Sequence, residues 1–343
     1  MRVHVAACKY FREMRILMGK DIRKDGGVMA QSAILRTPEQ CFANLPGFSF
    51  APHYVEVPDA HLGPLRMHYL DEGDARHGTV LMLHGEPSWS YLYRKLIGPV
   101  ADAGWRAVVP DHVGFGRSDK PTDRSLFTAD RFVAWMRTFV ESLDLTDIVL
   151  VCQDWGGPIG LRVLSEMPDR FRAVFATNTL LPNAEPPPRG VGDWPGPIVE
   201  PWIAHCRDSD DLAVSEVIAA TCVSRPDPAV LAAYDAPFPD AAHKAAALAI
   251  TTLIPVDAAA TGMAENRAAW KVLDQWQKPF ATAFSDGDPA TADWQSVFRH
   301  RVPGAADAPH VTIRNAGHFV QEEQGEALAD TLVAFLDGLN DGQ

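Results

Sequence analysis

The spacing of apolar residues changes period several times along the chain. Tyr54–Val57 and Leu65–Leu70 alternate apolar and polar positions, as half-exposed strands of a hairpin do. Thr79–Leu83, Arg106–Pro110 and Asp147–Cys152 are short, nearly continuous apolar runs, the pattern of strands buried on both faces. Between them, Tyr91–Ala103, Ala129–Leu143 and Pro158–Met167 carry helical spacing, and Phe171–Thr177 returns to strand. Strands alternating with helices predict a parallel sheet covered on both faces. The rhythm breaks from Leu180 to about Asp274. That stretch holds Pro186–Pro188, Pro195 and Pro197, then short helical patterns at Trp202–His205, Leu212–Thr221, Ala229–Tyr234, Ala241–Leu253 and Asn266–Trp276. Phe280–Phe284 and His310–Ile313 resume the strand pattern, and Gly325–Leu339 is a closing helix. The expected organisation is an α/β core over 31–179 and 277–343, with a helical cap inserted over 180–276. Residues 1–30 read as a basic extension, with seven Lys/Arg against three Asp/Glu in Met1–Gly27. Either Met29 is the natural start, or Cys8–Met18 forms a short basic amphipathic helix.

Composition narrows the partners more than the fold. The 343 residues are 47% hydrophobic and 22% charged, an ordinary globular balance. A formal net charge of −13 disfavours nucleic acid and anionic membrane. No apolar run reaches the roughly 20 residues of a membrane span. Five scattered cysteines without a CxxC suggest neither a metal site nor a disulfide framework, which suits a reducing, cytoplasmic location.

The chemistry centres on Val149–Arg162. A β-branched run ends in Cys152-Gln153-Asp154-Trp155-Gly156-Gly157, and a helical pattern follows. This is the strand–turn–helix signature of a nucleophile elbow, with Asp154 at the position that serine usually takes. A carboxylate there needs no deprotonation before it attacks carbon. In the chain order of such hydrolases a base and an acid should follow. His318, just after the last strand, is the base candidate. The loop Ser285-Asp286-Gly287-Asp288-Pro289 offers two acids, and both also suit a solvated turn. Asp288 is preferred, because Pro289 fixes its surroundings. Backbone N–H groups of Glu86 and Trp155 are candidates for an oxyanion hole. The Glu86 side chain is either a structural carboxylate tucked under its loop or a group that shapes the water site. The Trp155 indole is a pure donor on an apolar body, suited to a weakly hydrated leaving anion. A second donor from the cap would be Trp194 or Trp202, and spacing alone does not choose between them.

These residues sit among longer motifs, including Leu83-His84-Gly85-Glu86-Pro87-Ser88-Trp89, Gly114-Phe115-Gly116-Arg117-Ser118-Asp119, Tyr234-Asp235-Ala236-Pro237-Phe238 and Ala316-Gly317-His318-Phe319. Together they resemble the haloalkane dehalogenases from about Ile34 onward, in the subfamily with two halide-binding tryptophans and an acid after the seventh strand. The resemblance implies an α/β-hydrolase fold, a mostly parallel eight-stranded sheet with an inserted helical cap. It implies hydrolysis of haloalkanes to primary alcohol, halide and a proton through an alkyl-aspartate ester, without cofactor or metal. The site it implies has Asp154 as nucleophile, His318 as base, Asp288 as acid, Trp155 and Trp202 for halide, and Glu86 and Trp155 for the oxyanion. Asn178 stands where a sister subfamily carries its acid. The implied partners are a small apolar halogenated substrate and the halide product, in a monomer or small homo-oligomer. Compact residues at Pro158, Val199, Ala290 and Thr291 suggest a wide pocket for longer or branched substrates. Rival readings are an epoxide hydrolase, a fluoroacetate dehalogenase, another hydrolase with an aspartate nucleophile, or a non-catalytic ligand-binding protein on the same fold.

Overall fold

The computed structural model describes residues 33–184 and 196–340. The basic extension 1–30, Trp194 and most of the proline-rich segment lie outside the described residues. Eight strands form the main sheet: β1 (His53–Asp59), β2 (Gly63–Glu72), β3 (Thr79–Leu83), β4 (Arg106–Pro110), β5 (Ile148–Asp154), β6 (Phe171–Thr179), β7 (Phe280–Ser285) and β8 (His310–Ile313). Their order is β8-β7-β6-β5-β3-β4-β2-β1. The first two pair antiparallel, and β2 runs antiparallel to β4. All other neighbours are parallel. The edge strand β1 is exposed or half-buried at every position but Val57, and β2 is buried continuously only over Met67–Leu70, whereas β3 and β7 are buried at every position. That is the difference between a half-wet edge and strands covered on both faces.

Helices α1 (Arg94–Asp102), α2 (Ala129–Ser142) and α3 (Gly156–Glu166) follow β3, β4 and β5. Between β6 and β7 the chain forms α4 (Gly196–Asp208), α5 (Val214–Thr221), α6 (Pro228–Asp235), α7 (Ala245–Thr251) and α8 (Met263–Leu273). Helix α9 (Trp294–Arg301) separates β7 from β8, and α10 (Val320–Glu323) and α11 (Gly325–Asn340) close the chain. The sequence pattern placed α8 three residues late and did not register α9, whose mean character is polar and whose buried face is only Trp294, Val297 and Phe298. Among the described residues no helix is long and apolar enough to cross a membrane.

A buried ionic cluster fastens the inserted helices to the core. Arg94 of α1 makes two 2.7 Å bonds to the carboxylate of Glu322 in α10, and the Tyr234 hydroxyl of α6 donates to the same carboxylate at 2.8 Å. All three side chains are buried, so removing one partner would strand a charge.

A register shift and a close approach set the elbow. Strand β5 pairs with β3 up to Leu83–Cys152, then skips a residue before Asp154 pairs with Thr179 of β6. At Gly156 an added Cβ would lie 2.1 Å from the Leu83 carbonyl oxygen, so only glycine lets α3 start against β3. At Gly98, on the exposed side of α1, a Cβ meets nothing within 4 Å. Gly156→Ala is therefore expected to destabilise by about 3 kcal/mol or more through backbone overlap. Gly98→Ala should stabilise by about 0.5–1 kcal/mol. Urea unfolding of both variants checks this, and equal effects at the two sites would contradict the packing argument.

Candidate active site

Strand ends bring the site together. The carboxyl ends of β3, β5, β7 and β8 lead into the loops that carry Glu86, Asp154, Asp288 and His318. That is the edge of an open α/β sheet where ligands collect. Asp154 sits at φ +50, a left-handed conformation that a non-glycine residue adopts at a cost of order 1 kcal/mol or more. The turn points its carboxylate out of the strand. Gly85 lies against it so closely that a Cβ there would be 2.2 Å from Oδ1. The space is used by a hydrogen bond: the Glu86 N–H donates to Asp154 Oδ1 at 2.8 Å. The loop is braced from behind. The His112 N–H donates to His84 Nε2 at 3.1 Å, and the His112 ring lies 3.0 Å from the His84 carbonyl oxygen.

The second oxygen of Asp154 faces the imidazole. His318 Nε2 lies 3.4 Å from Asp154 Oδ2, and its Nδ1 lies 2.9 Å from Asp288 Oδ2. Asp288 is held in turn by the Thr291 hydroxyl at 2.5 Å and the Ala290 N–H at 2.9 Å. Of the two acids in the loop, Asp288 is thus the buried one on the histidine. Asp286 instead accepts from the Asn315 N–H at 2.7 Å. Burial alone would raise the Asp288 pKa, but His318 and the two donors outweigh it and keep the group below the usual carboxylate range. Burial also opposes charge on His318, yet Asp288 and Asp154 together raise its pKa to about 10.

Two further polar residues hold the histidine: Gln153, which the sequence reading passed over, and Asn178, noted there only as standing where a sister subfamily carries its acid. The Gln153 amide nitrogen lies 3.0 Å from His318 Nε2, a donor that suits the neutral ring. Asn178 donates to the Ser285 hydroxyl and to the carbonyls of Gly317 and His318, each at 2.9 Å, and its own oxygen accepts from the Ser285 N–H. It pins the histidine loop to β7. A polar residue inside an apolar strand was the available signal for both. Glu86 also resolves. Its side chain is buried on the cavity wall beside Thr251 and His318 rather than under its own loop. Burial first, and the charge of Asp154 second, raise its pKa well above the ordinary carboxylate value.

Trp155 and Trp202 line one cavity with Asp154, Glu86 and His318, a space of about 620 Å³ that is partly open to solvent. Val199, Ala290 and Thr291 lie on its wall. A second chamber of about 510 Å³ shares Asp154, Trp155, Leu180 and Ile254 with the first and includes Pro158. Among the described residues no tyrosine lines either chamber, and Tyr234 is committed to Glu322. Among the described residues no group of His, Cys, Asp or Glu could hold a metal ion.

A family model of the alpha/beta hydrolase fold matches residues 78–194. A haloalkane dehalogenase of Psychrobacter cryohalolentis is 46% identical over 303 residues, spanning 88% of this chain and 98% of its own length. The chain belongs to the haloalkane dehalogenase family. Another family member, from Mycobacterium marinum, is 43% identical over 88% of this chain and 99% of its own. Among solved structures, the tetrameric haloalkane dehalogenase of Paraglaciecola agarilytica NO2 superposes with a TM-score of 0.78 at 34% identity, covering 87% and 97% of the two chains.

The raised pKa of His318 links the site to stability. Its folded value of about 10 exceeds the ordinary histidine value of 6.5, so the stabilisation is complete below about pH 6.5 and disappears as pH rises through 10. Unfolding free energy of the native protein should therefore fall relative to His318→Gln between those two pH values. A difference that stays flat across the range would overturn the charge assignment.

Proposed function

We infer that the protein hydrolyses haloalkanes, with Asp154 as nucleophile, His318 as base and Asp288 as the acid that orients it. The observation that carries this is the Asp154 carboxylate on its strained turn, with one oxygen on the Glu86 N–H and the other toward His318, in a cavity walled by two tryptophans. Oδ2 attacks the sp³ carbon, and the carbon–halogen bond breaks with its electron pair leaving as halide. The indole N–H groups of Trp155 and Trp202 stabilise the anion as its charge develops. Oδ1, already on the Glu86 N–H, becomes the ester carbonyl. The Trp155 N–H at the start of α3 is the second donor to the oxyanion.

Ester formation removes the Asp154 charge and with it one of the two groups that hold His318 protonated. The imidazole pKa falls, the ring sheds its proton, and neutral Nε2 can take a proton from water as that water attacks the ester carbon. Release of alcohol restores the carboxylate. The apolar wall keeps bulk water from the first step.

Residues 180–276 form the cap in this reading, and Trp202 rather than Trp194 is the cap's halide donor, supported by its place on the cavity wall. The two chambers accommodate a substrate longer than two carbons. The enzyme works in a reducing, cytoplasmic setting in this reading, supported by five scattered cysteines without a CxxC pair. An epoxide hydrolase would require a hydroxyl donor over the nucleophile, and neither chamber offers a tyrosine.

The test is halide release from 1-bromobutane and 1,2-dibromoethane by folded protein. Asp154→Asn should release none. His318→Phe should give one halide per active site and a protein whose mass has grown by the alkyl group at Asp154. Steady turnover by that variant would overturn the roles. Trp202→Phe should lower kcat/KM on bromoalkanes about 10²-fold and weaken quenching of tryptophan fluorescence by bromide. Unchanged quenching would remove Trp202 from the halide site.

A further inference from the structure

The second chamber has a polar end that the reaction does not use. Helix α3 carries Trp155, Pro158, Ile159 and Arg162 on one face, at the i, i+3, i+4 and i+7 spacing that aligns side chains along a helix. The chamber runs along this face, and its walls are otherwise mostly apolar. Arg162 is buried, with a side-chain exposure of 6%. Its Nη2 donates to Asp130 Oδ1 at 2.5 Å, while Nη1 is buried with no acceptor. An unpaired guanidinium N–H in an apolar enclosure leaves a donor without the bond it would have in water.

A second feature points the same way. Helix α8 begins at this chamber: Gly262 is its N-cap, at φ +85, and no side chain caps the first turn. Thr261 and Gly262 line the wall, and a Cβ on Gly262 would lie 3.9 Å from Arg162 Nη1. The uncapped first turn of an eleven-residue helix adds partial positive charge beside the guanidinium. Thr261 is exposed, so this end of the chamber lies next to the surface.

We propose that the far end of this chamber, built from Arg162 and the N-terminus of α8, binds an oxygen acceptor at the distal end of a halogenated chain whose carbon–halogen bond lies at Asp154. The ligand class is a terminally oxygenated haloalkane, with a hydroxyl or a carboxylate opposite the halogen. Because Asp130 already pairs with Nη2, the site supplies a directed donor more than a free charge. An acceptor reaches Nη1 by a small rotation of the guanidinium about its bond to Asp130. Arg162 lies six helical positions beyond the start of α3 at Gly156, about 9 Å at 1.5 Å per residue, with Asp154 just before that start. The Arg162 side chain leans back toward the helix start and shortens that gap to about the length of a six-carbon chain.

This proposal rests on the haloalkane reading, and the experiment keeps the two apart. Wild-type kcat/KM is measured on 1-bromohexane, 6-bromohexan-1-ol and 6-bromohexanoate, and on 1-bromopropane and 3-bromopropan-1-ol. Turnover of the plain bromoalkanes tests the reaction itself. The terminal oxygen should favour the six-carbon substrates and give no advantage at three carbons, where it cannot reach Arg162. In Arg162→Met the ratio of kcat/KM for 6-bromohexan-1-ol over 1-bromohexane should fall about tenfold, with partial recovery in Arg162→Lys. The hydroxyl and carboxylate arms show which oxygen the site prefers. An equal oxygen effect at both chain lengths, or an unchanged ratio in Arg162→Met, overturns the subsite. The chain-length comparison uses only wild-type protein, so it stands even if Arg162→Met does not fold.

Discussion

One imidazole between two carboxylates is the arrangement on which the rest of the site depends. His318 reaches Asp288 with one nitrogen and Asp154 with the other. Each of these groups is expensive to bury alone, and together they hold charge in a place that water scarcely enters. The scaffold spends local strain to achieve this. Asp154 is kept at φ +50, Asp288 is tied by Thr291, and Asn178 fixes the carbonyl edge of the histidine loop. The triad is asymmetric in a useful way. Asp288 has donors of its own and stays ionised, whereas the second oxygen of Asp154 has only a long contact to the ring and is free to react.

Delivering those three side chains to one point is the work of the parallel sheet. Strand ends β3, β5, β7 and β8 stop at one edge, and the loops beyond them carry the chemistry. The tolerance is small. Glycine at 85 and 156 is required because a methyl group at either position would overlap a carboxylate or a backbone carbonyl. The inserted helices are then fixed over this edge by Arg94, Glu322 and Tyr234. The tyrosine of the cap motif is therefore a tether, and the cavity wall is left to tryptophan and aliphatic groups.

Much of this was legible in the sequence, for physical reasons. Buried parallel strands announce themselves as continuous apolar runs, and β3, β4 and β5 were placed within two residues at either end. The elbow was legible because glycines must follow a nucleophile that sits on so tight a turn. Helix ends in the inserted segment were less clear. Alanine-rich stretches such as Ala241–Leu253 have weak periodicity, and the structure divides that one into a short 3-10 turn and α7. Residues acting through long-range contacts were not legible as such. Gln153, Asn178 and Thr291 matter because of groups 165, 107 to 140 and 3 positions away, and only the last is local. Arg162 carried no signal in the sequence, and only the fold shows it buried.

The charge balance of the cavity ties the tryptophans to the carboxylates. Three carboxyl groups surround the reaction centre, which would repel a departing halide if all were ionised. Burial and the neighbouring Asp154 charge both raise the pKa of Glu86, which favours its neutral form. Asp288 is offset by protonated His318. The remaining charge, on Asp154, is consumed when the ester forms, at the moment when halide is released. A new anion therefore enters a cavity whose fixed charges cancel. In the proposed reaction two neutral indole donors, Trp155 and Trp202, face this anion, whereas a lysine or arginine at the same place would pair with Asp154. The cavity's chemistry thus favours neutral donors for the leaving group because its nucleophile is itself an anion.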